Sequence, residues 1–220
     1  MIFEKSDDLN LFKIFFLNMN LSSLFLLFLT VSVCGILVLN SSAFTSYDII
    51  QPSSVKIEIE AVSGGDRYND TVRFQDNVLI LRHAGGSSIP LDSTSVQITG
   101  IGNSYKGIPG SGGEFLFGDL IVYYEHLNTD KKNSQFEKNN RETLKDGLWS
   151  SGEIFILTGN DSKNSTSSSV FVSVNGDAGT SENYGFSSQT AAEVSVFQNS
   201  AKNKHLLFKK EISFSKSRPD

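Results

Sequence analysis

The stretch VKIEIEAV, residues 55–62, alternates apolar and charged side chains and decides the fold class of the chain beyond it. Successive side chains of an extended strand point to opposite faces, so a period of two separates the two classes. One face would carry Val55, Ile57, Ile59 and Ala61, and the other Lys56, Glu58 and Glu60. The stretch therefore predicts a β-strand with one buried and one solvated face.

Runs of similar character occur farther along the chain, separated by clusters of Gly, Ser, Asn and Asp. They cover residues 71–83, 95–101, 114–126, 148–159, 169–176 and 192–197. After residue 50, no stretch has the apolar period of 3.6 that an amphipathic helix requires. Many short strands with turn signals between them favour an all-β sandwich or barrel-like domain.

The composition divides the 220 residues into three parts. Residues 1–50 are expected to form an N-terminal signal or transmembrane helix, 51–200 the β-rich domain, and 201–220 a basic C-terminal strand or tail. Residues 129–147 are rich in charged and amide side chains and poor in apolar ones. They are predicted to be a solvated insertion with a short helical turn.

The N-terminal part has no charged residue between Lys13 and Asp48, and its centre, LFLLFLTVSVCGILVL, spans residues 24–39. The whole uncharged segment exceeds the roughly 20 residues that a helix needs to cross a bilayer. The segment is a membrane anchor, the polymerising helix of a filament subunit, or a secretory signal cleaved near residues 41–43. Its length favours the first two interpretations. Cys34, the only cysteine, lies inside it, so no intrachain disulfide can form.

Signals for nucleic-acid or metal binding are weak. A net charge of −5 and a pI of about 5.2 provide no basic footprint for nucleic acid. The three histidines, His83, His126 and His205, are far apart in the sequence and form no H-x-H or H-x-x-x-H pair. Because a zinc site needs three or four ligands of this kind, no metal site is predicted.

Two loop-like segments resemble ligand loops only in composition. Residues 100–113 are rich in glycine but lack the Gly-Lys-Ser/Thr ending of a phosphate loop, so their glycines are expected to serve turns. Residues 175–185 carry Asn175, Asp177 and Glu182 without the spacing of a calcium loop, and a surface turn is expected.

No catalytic constellation is apparent, since there is no G-x-S-x-G elbow and no paired nucleophile and base. The protein is therefore predicted not to be an enzyme and to use no cofactor. Three acceptor triplets for N-glycans begin at Asn69, Asn160 and Asn164 and favour an extracellular location for the β-rich domain.

The stretch LRHAGGSSIPLDSTSVQITG, residues 81–100, resembles a segment of archaeal type IV pilins, the archaeal pilin N-terminal family. Those proteins often have a strand that ends in His, a Gly-Gly pair, a Leu-Asp element and a strand of alternating Val and Ile. LWSSGEIFILTGN, residues 148–160, is similar to their second recurrent element, in which a Gly-acid pair precedes an apolar strand. SVFVSVNGD, residues 169–177, looks like the strand that closes their sheet.

The resemblance implies a structural protein of the cell surface. A single-pass helix would bind the lipid bilayer and pack against other pilin subunits, and the extracellular β domain would act in adhesion toward an unidentified surface ligand. His83 would be a structural residue that bonds to the turn formed by residues 83–90, after which residues 95–99 would return as the next strand. The N-terminal signal region diverges, because Asp7-Asp8 is followed by Leu-Asn-Leu-Phe-Lys and no Lys/Arg-Gly processing site is evident.

Two alternatives stay open. An anchored extracellular binding module would display exposed aromatic side chains, for which the candidates are Trp149, Tyr123 and Tyr184, although Trp149 is better suited to the core. An archaellin-like filament subunit would share the same plan of an N-terminal helix and a β domain.

Overall fold

The computed structural model describes residues 55–68, 71–72, 74–107, 113–163, 168–178 and 183–216. The described part of the chain is mostly β-structure, as the alternating pattern predicts. The first strands are β1 Lys56–Ser63, β2 Arg67–Tyr68, β3 Thr71–Val72, β4 Val78–Gly85, β5 Ile89–Pro90, β6 Thr94–Lys106 and β7 Glu114–Tyr124. Helix α1, Ser134–Asn139, comes next. The remaining strands are β8 Leu148–Trp149, β9 Ile154–Thr158, β10 Val170–Val174, β11 Asp177–Ala178, β12 Tyr184–Phe186, β13 Ala191–Asn199 and β14 Lys204–Ser213.

Two sheets organise these strands, and every pairing between the strands is antiparallel. The smaller sheet has the order β1-β4-β9. The larger has the order β11-β10-β7-β6-β13-β14, and β12 pairs with the end of β6 beyond β13. Its longest ladder is the β6–β7 hairpin, in register from Val96 opposite Tyr124 to Lys106 opposite Glu114. Two short pairs, β2-β3 and β5-β8, complete the pairing.

One hydrophobic core takes side chains from both sheets. In β7 the buried residues are Leu120, Val122 and Tyr124, two positions apart, as a one-sided strand requires. The smaller sheet contributes Leu79 and Leu81 from β4 and Phe155 and Leu157 from β9. Burial of this apolar surface is the main force that holds the domain together, at roughly 25 cal/mol per Å² removed from water.

Two predicted runs are broken by turns. The run 71–83 contains β3, a 3-10 turn at Phe74–Asp76 and then β4, because Asn77 turns inward and its Oδ1 accepts from the backbone N–H of Phe186 at 2.9 Å. The run 148–159 is divided into β8 and β9 by a turn in which Glu153 Oε2 accepts from the Ser150 N–H at 2.6 Å. Gly152 has φ +95° there, a conformation that favours glycine.

The chain does not return on itself between residues 80 and 100, contrary to the sequence interpretation. Strand β4 lies in the smaller sheet and β6 in the larger, so the stretch crosses between sheets. The crossing segment is fixed by β5, where Ile89 pairs with Trp149, and by the Leu127 N–H, which donates to the Leu91 carbonyl at 2.8 Å.

The segment 129–147 is largely exposed, as its polar composition predicts, but it is also docked onto the domain. It contains the expected helical turn as α1, but Phe136 on that helix is fully buried and stacks 6.1 Å from the ring of Phe155. Asn140 and Thr143 are buried as well and bond to the backbone of β9. A few inward side chains therefore dock a polar segment onto the smaller sheet.

Both ends of the described part bear on the predicted division of the chain. Strand β14 pairs with β13 along nearly its whole length, so residues 204–213 belong to the larger sheet. The predicted N-terminal helix, residues 1–50, lies outside the described residues. Among those that are described, no helix is long and apolar enough to cross a membrane.

Candidate functional site

His83 has the structural role that the sequence predicts. It is fully buried in β4, and its Nε2 donates to the carbonyl oxygen of Ser87 at 3.0 Å. Its ring packs edge-on to the ring of Trp149, with 5.8 Å between centroids. His83 thus ties the turn after β4 to the core, and the predicted contact with that turn is confirmed.

The other two histidines lie elsewhere. His205 is exposed on β14, whereas His126 follows β7 and is half-buried, with Nδ1 3.1 Å from Nζ of Lys132. Within the described ranges, no group of three or more His, Cys, Asp or Glu side chains is placed to hold a metal ion.

The expected surface turn after β10 is confirmed as far as it is described. Asn175 has φ +54° and forms the β10–β11 turn, where its Oδ1 accepts from the Asp119 N–H at 2.9 Å. Asp177 forms an ion pair with Lys106 at 3.0 Å. These two side chains are therefore occupied by neighbouring strands. Glu182 lies outside the described residues.

Among the aromatic candidates, Trp149 and Tyr184 are fully buried. Trp149 is a core residue, as expected, and Tyr184 is corrected from a surface candidate to a core residue. Tyr123 is half-buried and stacks on the exposed ring of Phe171 at 6.4 Å. The predicted aromatic surface thus retains only Tyr123 of its three candidates.

The three glycan acceptors have different outcomes. Asn69 and Asn164 lie outside the described residues, and Asn160 lies half-buried just after β9. The next two residues of its triplet, Asp161 and Ser162, are buried, at 0% and 1% exposure. Asp161 is the centre of a polar cluster that the sequence did not reveal.

We define the buried polar cluster as Asp161, Thr158, Tyr124, Tyr184, Lys132, Ser169 and His126. Asp161 Oδ2 accepts from the Tyr124 hydroxyl and from the Thr158 N–H, both at 2.8 Å. Its Oδ1 accepts from the Thr158 hydroxyl at 2.7 Å. Burial nevertheless raises the pKa of Asp161 to about 6, because these hydrogen bonds and Lys132 only partly offset the loss of hydration.

Two tyrosines extend the cluster into the core. The hydroxyls of Tyr124, on β7, and Tyr184, on β12, lie 2.6 Å apart, and both side chains are fully buried. Burial and then the nearby Asp161 charge raise the pKa of both phenols well above the ordinary value. Both phenols are therefore protonated at neutral pH and serve as hydrogen-bond donors.

Lys132 is the cluster's cation. It is 7% exposed, and its Nζ lies 3.0 Å from Ser169 Oγ and 3.1 Å from His126 Nδ1. Within the described part of the chain, no carboxylate forms an ion pair with it. Burial therefore lowers the pKa of Lys132 to about 7, and the charges of Asp161, Asp130 and Glu125 only partly oppose this shift. Burial, followed by the Lys132 charge, lowers the pKa of His126.

An open cavity of about 730 Å³ lies where α1, the end of β9 and the 3-10 turn before β4 meet. We call it the amide cavity, because six of its nine described lining residues are amides: Gln75, Asn133, Gln135, Asn139, Asn160 and Asn183. Val78, Ile156 and Thr158 line the rest. Thr158 belongs to both the amide cavity and the buried polar cluster.

The buried polar cluster fixes the walls of the amide cavity. Asp161 holds Thr158 through its carboxylate, and its own carbonyl accepts from the Asn133 N–H at 2.9 Å. Asn133 in turn caps α1, since its Oδ1 accepts from the Gln135 N–H at 3.0 Å. The cluster therefore serves as a polar support, and the cavity is the part open to a ligand.

Comparison with known proteins identified no relative. No family model, no curated protein and no solved structure matches the chain.

Sequence reasoning missed the buried polar cluster and the amide cavity for a common reason. Lys132 lies in the segment interpreted as solvated, and Asp161 was seen only as the middle residue of a glycan acceptor triplet. A charged residue in a polar segment gives no sign that it is buried. The available signal was the concentration of Asn and Gln in residues 133–140 and 160–164.

Proposed function

We propose that this protein is a structural protein of the cell surface, a pilin or pilin-like subunit with an extracellular β-sandwich. The carrying observation is the order of the chain: the uncharged segment between Lys13 and Asp48 immediately precedes a β-rich domain with a core of its own. The resemblance of residues 81–100, 148–160 and 169–177 to archaeal type IV pilins supports the same proposal.

The architecture of the domain suits this role. Two antiparallel sheets that share a core form the framework of a sandwich, and its stability does not depend on disulfides, for which Cys34 offers no partner. In this proposal the apolar segment holds the chain in the bilayer and later packs against the same segment of other subunits. The β domain faces outward, where its loops, with glycans at Asn69 and Asn164, meet other surfaces.

The decisive experiment is mass spectrometry of the mature N-terminus in membrane and sheared-surface fractions of native cells. We expect a chain cut before residue 24 that is recovered in the sheared fraction, because filaments shear off and anchored proteins do not. An intact N-terminus found only in membranes would refute filament assembly and leave an anchored ectodomain. A cut after residue 39 with release from the cell would refute both forms.

The anchoring step has a matched pair of variants in Leu29→Arg and Leu29→Ile. An arginine at the centre of a membrane helix costs about 2.5–3.5 kcal/mol on insertion scales, whereas isoleucine is favourable there. The arginine variant should therefore decrease in the membrane fraction while the isoleucine variant stays. Equal membrane fractions for the two variants would refute residues 24–39 as the anchor.

A further inference from the structure

The described lining of the amide cavity is polar but carries no charge. None of its nine described lining residues is ionisable, although charged residues make up 20% of the chain. Each primary amide presents two N–H donors and a carbonyl acceptor side by side. Such a lining complements a ligand that both donates and accepts hydrogen bonds and has no net charge.

Several of these amide groups are free to bind. Gln135 Nε2 donates to Asn139 Oδ1 at 2.9 Å, which leaves Gln135 Oε1 and Asn139 Nδ2 without a partner among the described residues. Asn133 uses its Oδ1 to cap α1, and its Nδ2 has no partner within the same part of the chain. The side chains of Gln75 and Asn160 make no hydrogen bond to any described residue. Donors and acceptors from the 3-10 turn, from α1 with its cap and from the turn after β9 thus line one opening.

The remaining lining supplies an apolar surface. Val78 on β4 and Ile156 on β9 are half-buried on neighbouring strands. In the pairing of these strands, the two residues are offset by two positions. A pyranose ring has hydroxyls at its rim and a C–H face that packs on aliphatic side chains. The cavity volume of about 730 Å³ falls in the range of roughly 300–1,000 Å³ that is usual for small-molecule sites.

We propose that the amide cavity is a binding site for a neutral saccharide, with Asn139, Gln135 and Gln75 as hydrogen-bonding residues and Val78 and Ile156 beneath the ring. The site is already held in shape, because Asp161 fixes both Thr158 and the start of α1. Binding therefore requires little reorganisation. The proposal does not depend on whether the chain polymerises, and it supplies a ligand class for an adhesive surface domain.

The test uses the full chain in a polyoxyethylene ether detergent, because glycoside detergents carry competing sugars. The protein in this test carries Asn160→Gln, which removes the glycan acceptor triplet at this position and keeps an amide at the cavity. Glucose, galactose, N-acetylglucosamine and lactose are the probes in saturation-transfer NMR and calorimetry, with glucuronate as the charged comparison. We expect at least one neutral probe to bind, and glucuronate to bind more weakly than glucose.

Two variants locate the binding. Asn139→Leu removes a donor at nearly constant size, and Gln75→Leu does so on an exposed turn where misfolding is not a concern. Loss of one or two hydrogen bonds should weaken binding about tenfold, since each contributes about 1 kcal/mol. Asn199→Leu, at the end of β13 and outside the cavity, is the matched control and should bind normally.

The outcomes are distinct. Absence of binding by all four neutral probes would overturn the proposal, as would equal binding by the variants and the control or tighter binding of glucuronate. The urea midpoint of each variant shows that it is folded. The fractionation result on filament assembly is independent of these measurements, so either proposal can fail without the other.

Discussion

Lys132 makes the stability of the domain dependent on pH in an unusual direction. Burial lowers its pKa from 10.5 to about 7, so between these values the unfolded chain holds a proton that the folded chain releases. Stability therefore rises with pH across this window, and the charged lysine is a destabilising element at pH 7 and below. Lys132→Met removes the buried cation and fills the same space over the ring of Phe136, 5.1 Å from Nζ.

The magnitude follows from the pKa difference. Each pH unit between the two pKa values changes the free energy of unfolding by up to about 1.4 kcal/mol, because the two states differ by one bound proton. From pH 7 to pH 9 the gain is about 2 kcal/mol, since the folded lysine is still half-protonated at pH 7. In Lys132→Met this gain should be absent.

The assay is urea denaturation of the full chain in detergent micelles, followed by the emission of Trp149. This residue is the chain's only tryptophan and is fully buried, so unfolding should shift its emission to the red. Lys145→Met is the matched control, because the Lys145 side chain is 63% exposed. The control should keep the wild-type increase between pH 7 and pH 9. An equal increase in the Lys132→Met variant would refute the assignment of this titration to Lys132.

Two further substitutions test the packing. Phe155→Ala should lower the free energy of unfolding by about 3–5 kcal/mol, because the buried ring contacts those of Phe136 and Trp149. Phe117→Ala, at a ring 57% exposed, is the control in the same urea titration. A similar loss of stability in this control would contradict this account of the core. Gly102→Ala should lower the free energy of unfolding by about 1–3 kcal/mol, since a Cβ at this position would collide with the Gly185 carbonyl and Leu120. An unchanged urea midpoint would show that β12 moves aside without loss of stability.

The strands were predictable to the extent that their signal is local. Residues 55–62 alternate because one face of the strand meets the core, and the structure has β1 there. Residues 114–124 form an apolar run rich in β-forming residues, and the structure has β7 there. Breaks within a run were not predictable, because they depend on distant partners. Asn77 interrupts the run 71–83 by accepting a hydrogen bond from Phe186, which is 109 residues away in the sequence.

The candidate site was still less accessible to sequence reasoning. The Tyr184 hydroxyl meets the Tyr124 hydroxyl, which donates to Asp161, because β7, β12 and the turn after β9 converge. No spacing in the sequence reports that convergence. The amide cavity likewise combines a 3-10 turn, a short helix and a strand end. Sequence reasoning therefore found no catalytic or metal constellation and did not anticipate a polar cluster or a cavity.

The sequence by itself determined the class of secondary structure, the turns rich in Gly and Asn, and the contact of His83 with the turn that follows its strand. Each of these depends on neighbours along the chain, where a period of two or a steric preference at one residue is sufficient. Only the tertiary structure decided that β4 and β6 belong to different sheets and that Phe136 docks the segment 129–147. It also decided that Lys132 and Asp161 are buried, because burial is a property of the whole packed chain and pKa values follow from it.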